Sequence, residues 1–208
     1  MAALSAAVAS GEQGTMFDSH SDLAAIVYRD GDDPDAVLRH FAMSLRSRGC
    51  RVVGLIQSAR RRQACHEPSG VIIHSGRRIG LWRQLGPGAE GCRLDPGQLV
   101  DAGRQIAAEL ANGADLVIIS RFGRQESEGH GLCGLILAAL EMDIPVVIAV
   151  ATWRFNEWLR FAEGMSVKLA CRPAALQAWW QGTKRDASGP GSASRACLGR
   201  VCETLKSY

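Results

Sequence analysis

Two arginines, a glycine and a glutamate lie close together in residues 120–126, which read SRFGRQE. Arg121 and Arg124 carry planar guanidinium groups, which bind phosphate, carboxylate or another oxyanion through parallel hydrogen bonds. Glu126 is suited to pair with them, to bind a metal or to position a water molecule as a catalytic residue. Gly123 makes the segment flexible. This segment is therefore a candidate anion site; the alternative is a surface loop whose charges pair with one another.

A second candidate is the acidic segment of residues 28–35, which reads YRDGDDPD. It contains one glycine, Gly31, together with four aspartates and no lysine. A phosphate-binding loop at such a place reads GxxxxGK followed by Ser or Thr. An acidic segment repels phosphate unless a cation lies between them, so Asp30 and Asp32 are candidate ligands of a divalent metal such as Mg²⁺. The alternative is the capped start of a helix at Pro34.

Residues 90–97, which read EGCRLDPG, form a third candidate. The turn that leads into a helix at Asp95 is expected to supply free backbone amides, which attract anions at a helix N-terminus. Arg93 and Cys92 lie in this turn, and a thiol beside a helix start is more acidic than usual. The alternative is a buried thiol without a chemical role. The cysteines and histidines of the chain match no zinc spacing.

Strands that alternate with helices must position these three segments. Residues 23–28, 52–56, 115–120 and 144–150 are apolar runs typical of buried parallel strands, and the last run is apolar enough to be central. The predicted helices comprise residues 34–48, 95–111, 131–142, 153–162 and 173–180. This alternation predicts an α/β fold with a three-layer, mostly parallel sheet. Ligands bind such sheets at the carboxyl ends of the strands, where residues 120–126 are expected.

Residues 57–93 interrupt the alternation. Residues 60–66 are predicted to form an exposed loop, and residues 71–82 a β-hairpin about a Ser-Gly turn. Thr152 is predicted to cap the helix that follows it, and residues 166–169 to form an edge strand. One domain is expected over residues 22–181, between a flexible arm at 1–21 and a flexible tail at 182–208.

The composition narrows the classes of function. The net charge of +3 over 208 residues is too small to indicate nucleic-acid binding. Seven cysteines, an odd number without a CxxC pair, indicate reduced thiols in the cytoplasm. No apolar run has the length that a membrane-spanning helix requires. We therefore expect a cytoplasmic protein with a small anionic ligand, and the hairpin is a candidate interface for a homo-oligomer.

Several segments also resemble a known family when they are taken in order. They are LAAIVYRDGDDPDAVLRHF, VVGLIQ, GRRIGLWRQLGPGAEGCRLDPG, DLVIISRFGRQESEGHG and IPVVIAV. Together they resemble an uncharacterised bacterial domain family related to small nucleoside-triphosphatases of the P-loop type. The likeness covers residues 22–181, and its most specific parts are GCRLDPG and FGRQE. Members are often associated with molybdenum-uptake or nitrogen-fixation genes, which implies a role in handling molybdate or nucleotides.

The resemblance also implies which residues differ from the nucleoside-triphosphatases. Those proteins have a glycine-rich loop with lysine after the first strand, whereas residues 28–35 here lack both features. Ser120 and Arg121 stand where the relatives have Asp-Glu, while Gly123 and Glu126 match. The residues that would hold Mg²⁺ and the terminal phosphates are thus largely replaced, which favours an anion-binding derivative of that scaffold.

The leading hypothesis is therefore a cytoplasmic protein that binds a phosphate-like anion, either a nucleotide with Mg²⁺ or molybdate. An alternative is a nucleoside-triphosphatase with a rearranged site, in which Glu126 positions water and residues 30–33 hold the metal. A third hypothesis is a protein-interaction or adaptor module that uses its tryptophans and basic hairpin.

Overall fold

The computed structural model describes residues 21–62, 65–84 and 92–186. Within these ranges, residues 58–62, 65–68, 83–84, 92–93 and 184–186 are described by their backbone alone. Most of the predicted N-terminal arm and C-terminal tail therefore lies outside the described residues. No helix in the described ranges has both the length and the apolar character needed to cross a membrane.

A sheet of seven strands forms the centre of the described part of the chain. Its strands are β1 (Leu23–Tyr28), β2 (Val52–Arg62), β3 (Cys65–Ile72), β4 (Arg78–Gly80), β7 (Leu116–Ile119), β8 (Val146–Ala151) and β9 (Ser166–Ala170). A separate two-stranded sheet pairs β5 (Trp82–Gln84) with β6 (Cys92–Leu94). The helices are α1 (Pro34–Ser47), α2 (Pro96–Leu110), α3 (Arg124–Ser127), α4 (Cys133–Glu141), α5 (Phe155–Ala162) and α6 (Pro173–Asp186), and a 3₁₀ turn covers Thr152–Arg154.

The strand order across the large sheet is β4-β3-β2-β7-β8-β1-β9. Every neighbouring pair from β2 to β9 is parallel, and β3 and β4 extend one edge as antiparallel strands. Strand β8 lies in the interior and all six of its residues are buried, as its continuous apolar sequence predicts. The predicted α/β class, with a mostly parallel sheet and a hairpin insertion, is confirmed.

Helices cover both faces of the sheet and so create two hydrophobic cores. On one face, α2, α4 and α5 bury Ile106, Ile136 and Trp158 against the strands. On the other face, α1 and α6 bury Phe41 and Trp179. Burial of a side chain of this size stabilises the fold by roughly 1.5–3 kcal/mol. Since both faces are covered, the strand ends are left as the place where polar side chains can gather.

The prediction of an exposed loop over residues 60–66 is wrong for the part of it that the structure describes, because residues 60–62 and 65–66 lie in strands β2 and β3. Strand β2 continues to Arg62 and pairs antiparallel with β3, in a register that sets Arg60 opposite Glu67. The polar side chains of this segment are typical of a loop. The pairing of β2 with β3 nevertheless satisfies the backbone N–H and C=O groups, whatever the polarity of the side chains. The predicted hairpin between β3 and β4 is confirmed, although Trp82 belongs to β5 and not to β4.

Two helix boundaries also differ from the prediction. Thr152 does not cap α5, because its hydroxyl donates instead to the carbonyl of Tyr28 at 2.8 Å and ties the end of β8 to the end of β1. The last helix does not end at Trp180 but continues to Asp186. Helix α1 is confirmed, with Asp33 as its N-cap and Pro34 in its first turn.

Replacement of Gly54 by alanine tests the close approach of β2 and β7. Gly54 has a φ of +135°, and a Cβ atom there would lie 2.0 Å from the carbonyl oxygen of Ile118. We expect Gly54→Ala to lower the free energy of unfolding by more than about 3 kcal/mol, because both the backbone conformation and the contact become strained. Urea denaturation measures this change.

Gly134→Ala is the matched control. Gly134 lies in α4, and a Cβ atom there would meet nothing within 4 Å. Alanine at this position should stabilise the protein by about 0.5–1 kcal/mol because it restricts the unfolded chain and favours the helix. Equal stabilities of the two variants would contradict the described register of β2 and β7.

Candidate functional site

A cleft of about 530 Å³ opens at the carboxyl ends of β1, β7 and β8. Tyr28 and Ala151 mark the ends of β1 and β8, residues 121–126 follow β7, and Leu99 of α2 contributes an apolar wall. At this cleft the chain leaves two neighbouring strands in opposite directions: β1 leads to β2 on one side of the sheet order, and β8 leads to β9 on the other. Open α/β sheets bind their ligands at such a place. The cleft therefore lies at the edge of the sheet where residues 120–126 were expected.

Phe122 anchors the first part of the 121–126 segment in the core. Its amide donates to the carbonyl of Ala149 at 2.7 Å, and its ring is almost fully buried. The ring centroid lies 5.2 Å from that of Trp158 in an edge-to-face arrangement and 5.3 Å from that of Phe161. Aromatic pairs favour such geometries. The side chains on either side of Phe122 are consequently held at the cleft.

Ser120 is used for pairing between strands. It is fully buried, and its hydroxyl oxygen accepts the backbone amide of Gln57 at 2.6 Å. Its own amide donates to the carbonyl of Leu55 at 3.0 Å. These bonds continue the contact between β2 and β7 beyond the strand. Gln57 thereby becomes part of the cleft wall.

Arg121 forms an ion pair with Asp35 at the start of α1. A terminal guanidinium nitrogen donates to Asp35 Oδ2 at 2.7 Å, and the arginine side chain remains 41% exposed. Burial raises the pKa of Asp35, and the hydrogen bond from Arg121 offsets part of that rise. Asp35 Oδ1 is buried without a hydrogen-bond partner among the described residues. The pair joins the first helix to the segment after β7.

Arg124 and Arg154 line the same cleft, and each has a carboxylate partner. Arg124 Nε donates to Glu128 Oε1 at 2.6 Å, while Arg154, in the turn after β8, pairs with Glu157 of α5. The Arg124 pair is exposed and contributes little stability, whereas the Arg154 side chain is mostly buried. The paired charges of Arg121 and Arg124 agree with the alternative considered for residues 120–126, a loop whose charges pair with one another. Both Arg124 and Arg154 nevertheless line the cleft.

Glu126 is almost completely buried, at 2% exposure. Its Oε2 accepts the amide of Gly123 at 2.9 Å, and its Oε1 accepts the amide of Leu132 at 3.1 Å. Burial raises the pKa of this carboxyl, and the two amides oppose the rise. The carboxylate therefore joins the start of α3 to the start of α4. Both of its oxygens are engaged inside the protein, although catalysis by Glu126 stays a prediction.

Gly131 makes room for this carboxylate. Its φ is +61°, and a Cβ atom there would lie 2.4 Å from Glu126 Oε1. Cys133 lies next to it and donates its thiol to the carbonyl of Glu126 at 3.3 Å. Burial, and then the nearby carboxylate, raise the pKa of Cys133 to about 12. The thiol of Cys133 is therefore buried and held in its neutral form.

The segment between β1 and α1 satisfies its amides with its own carboxylates. Asp33 accepts the amide of Ala36 at 2.9 Å, and Asp32 accepts the amide of Arg29 at 2.8 Å. Gly31 has a φ of +95° and allows the turn. This geometry is the capped helix start that was considered as the alternative. The described residues of the cleft wall include neither Gly31 nor its neighbours Asp30 and Asp32.

The start of α2 is likewise filled by a carboxylate. Asp95 Oδ1 accepts the amides of Gly97 at 2.9 Å and Gln98 at 3.3 Å. The expectation of free amides at this helix start is therefore wrong, because the capping residue itself occupies them. Cys92 and Arg93 lie in β6, and their side chains are outside the described part of the structure.

Metal binding by Asp30 and Asp32 stays a prediction. Among the described residues, no group of three or more His, Cys, Asp or Glu side chains is arranged to hold a metal ion. Asp32 already accepts a backbone amide, and both aspartates are exposed. The described residues around Asp30 and Asp32 do not form a preformed Mg²⁺ site, so a metal bound there would need a ligand that completes its coordination.

Comparison with known proteins places the chain in a family. A family described as "Protein of unknown function (DUF2478)" matches residues 23–179. The chain belongs to this family. It is 36% identical over 163 residues to a molybdenum import ATP-binding protein, ModC 2, of Bradyrhizobium diazoefficiens. That match takes in 77% of this chain but only 18% of the relative, so the two proteins share one region.

A solved structure shares the fold of this DUF2478 chain. The crystal structure of THEP1 from the hyperthermophile Aquifex aeolicus superposes with a TM-score of 0.55 at 12% identity. The match covers 76% of this chain and 94% of that one. At this identity the likeness concerns the fold alone. It shows that this DUF2478 member has the fold of THEP1 over most of its length.

The sequence reasoning missed Asp35 as the partner of Arg121, and it missed Trp153 and Arg154 as cleft residues. Both of the latter follow β8, the strand already predicted to be central. The rule that selected residues 120–126 would therefore also have selected these two. The pairing of Asp35 with Arg121 spans 86 positions and left no local signal.

A glutamine at position 126 tests the anchoring role of this carboxylate. Its amide group cannot accept both backbone N–H groups, so we expect Glu126→Gln to lower the free energy of unfolding by about 1–3 kcal/mol at neutral pH. The folded protein holds the Glu126 proton more tightly than the unfolded chain, whose pKa is near 4.5. Protonated Glu126 therefore stabilises the fold fully below pH 4.5. This stabilisation is lost as the pH rises through the pKa that Glu126 has in the folded protein.

The difference in the free energy of unfolding between wild type and Glu126→Gln should accordingly become smaller as the pH is raised from 4.5 towards neutrality. Denaturant unfolding at a series of pH values measures it. Glu128→Gln, at an exposed position, is the control and should change the stability by less than about 0.5 kcal/mol. A Glu126→Gln protein as stable as wild type would show that Glu126 is not an anchor.

Proposed function

We propose that this domain binds a small phosphate-like anion, either a nucleotide or a molybdate-type oxyanion, in the cleft at the strand ends. The observation that carries the proposal is the convergence of Arg121, Arg124 and Arg154 on one cleft of about 530 Å³. A cavity of this size suits a small molecule. Guanidinium groups recognise the oxygens of phosphate and similar anions through directed hydrogen bonds.

The arginines keep donors for a ligand even while they are paired. Arg121 bonds Asp35 through one terminal nitrogen, and Arg124 bonds Glu128 through Nε. A guanidinium group has several further N–H donors. Arg124 is 77% exposed, so its carboxylate partner is readily exchanged for an anion in the cleft.

The similar proteins support both a nucleotide and a molybdate-type oxyanion as the ligand, and they do not favour one over the other. The ModC 2 protein is named for both molybdenum import and ATP binding, and its chain is much longer than this one. The shared scaffold with THEP1 supports a small ligand at the strand ends. A cytoplasmic location remains part of the proposal and is supported by the free thiols of Cys50, Cys133 and Cys171.

Hydrolysis by a rearranged nucleoside-triphosphatase site has less support. Both oxygens of Glu126 accept backbone amides, so positioning a water molecule would require the carboxylate to leave them. Asp32 and Asp33 accept amides of their own segment, which weakens their case as metal ligands. Phosphate release from ATP or GTP with Mg²⁺ by the wild-type protein would overturn this reading and favour the enzyme.

Truncation of Arg124 tests the proposed function. We expect Arg124→Ala to weaken binding of ATP or molybdate by roughly tenfold, because a charge-assisted hydrogen bond to the anion is lost. Isothermal titration calorimetry measures the affinity. Arg104→Ala is the matched control, since Arg104 is an exposed arginine paired with Asp101 on α2 and is not part of the described cleft wall.

Equal binding by wild type and both variants would show that Arg124 does not contact the anion. If the wild-type protein binds neither ATP nor molybdate, the proposed function itself is overturned.

Removal of the Asp35 charge should have the opposite effect. Asp35 competes with a ligand for Arg121, so we expect Asp35→Asn to tighten anion binding by roughly threefold to tenfold. Asp101→Asn, which frees the exposed Arg104 in the same way, should leave the affinity unchanged. Molybdate titrations at constant ionic strength measure both variants. Weaker binding by Asp35→Asn would show that Asp35 orients Arg121 for the ligand and does not compete with it.

A further inference from the structure

Trp153 presents the most exposed large hydrophobic side chain among the described residues. It is 71% exposed and lies in the wall of the cleft, directly after β8. A single apolar residue on a surface needs no explanation by itself. This ring, however, shares a cavity with Arg121 and Arg124, which are the proposed anion contacts.

The ring is held in place by its neighbour. The guanidinium carbon of Arg154 lies 4.4 Å from the centroid of the Trp153 ring. Arg154 is itself only 18% exposed and pairs with Glu157 in α5, so it cannot swing away freely. A cation over an indole face is a favourable contact. One side of the ring is therefore supported by a fixed cation, and the rest of its surface faces the cleft and solvent.

Such a ring suits a planar partner. An exposed and fixed indole can stack on a nucleobase with little loss of side-chain freedom, because it is ordered before the ligand arrives. An inorganic oxyanion such as molybdate has no surface that would use it. The cleft thus combines cations for phosphate with an aromatic platform.

From this combination we propose that Trp153 stacks on the base of a nucleoside phosphate whose phosphates bind Arg121 and Arg124. The inference rests on the proposed function and selects nucleotides over bare oxyanions within it. Because all bases have a stacking face, the platform accepts purines and pyrimidines alike.

The test compares ATP with inorganic tripolyphosphate, which has the same chain of phosphates and no base. Both are titrated calorimetrically into wild type, Trp153→Ala, Trp153→Phe and Met43→Ala. Met43 is 65% exposed and is not part of the described cleft wall, so its truncation controls for loss of a surface apolar group. Tryptophan fluorescence provides a second readout, since stacking on Trp153 quenches its emission.

We expect wild type to bind ATP about tenfold or more tightly than tripolyphosphate. Trp153→Ala should bind both ligands with the affinity that wild type has for tripolyphosphate, and it should lose the quenching. Trp153→Phe should retain most of the preference for ATP, and Met43→Ala should match wild type.

Several outcomes would overturn the stacking. If wild type binds ATP and tripolyphosphate equally, or if Trp153→Ala keeps the preference for ATP, the base does not lie on Trp153 while the anion site stands. Equal loss of both ligands in Trp153→Ala would show a general effect on the cleft and would also contradict the proposal. Wild type that binds molybdate, in a parallel titration, but neither ATP nor tripolyphosphate would also contradict the stacking proposal. If wild type binds none of these ligands, the proposed function and the stacking both fail.

Discussion

The buried carboxylate of Glu126 is the interaction on which the rest of the site depends. It accepts one amide from the start of α3 and one from the start of α4, and Gly131 leaves the space it needs. With Phe122 packed against Trp158, it gives the chain after β7 one conformation. A flexible loop would have spread its arginines over many positions; this segment directs them to one cleft.

Charge compensation is the second organising feature. Asp33 and Asp95 occupy amides at the starts of α1 and α2, and free amides at a helix start would otherwise attract an anion. Asp35 and Glu128 engage the guanidinium groups of the cleft. An anion of the proposed kind would therefore have to displace the protein's own carboxylates from the guanidinium groups on the loop after β7.

Much of the fold was predictable because it follows from local patterns. Strand β1 coincides with its apolar run, and α1 begins at the Asp-Pro signal. Residues 120–126 were correctly placed at a strand end. The extension of β2 to Arg62 was not predictable, since its polar sequence by itself is typical of a loop. Only pairing with β3 satisfies the backbone groups of this segment as a strand. The order β2-β7-β8-β1 likewise depends on crossovers between distant segments.

The sequence by itself determined an α/β protein with arginines, a glycine and a glutamate after a buried strand, because hydrophobic periodicity and capping are local properties. Only the tertiary structure decided what those residues do. Glu126 became an anchor once folding buried it against two amides, and Arg121 acquired Asp35 from 86 positions away. Trp153 joined the cleft because β8 lies between β7 and β1. These partners meet through long-range packing, which leaves no mark on neighbouring residues.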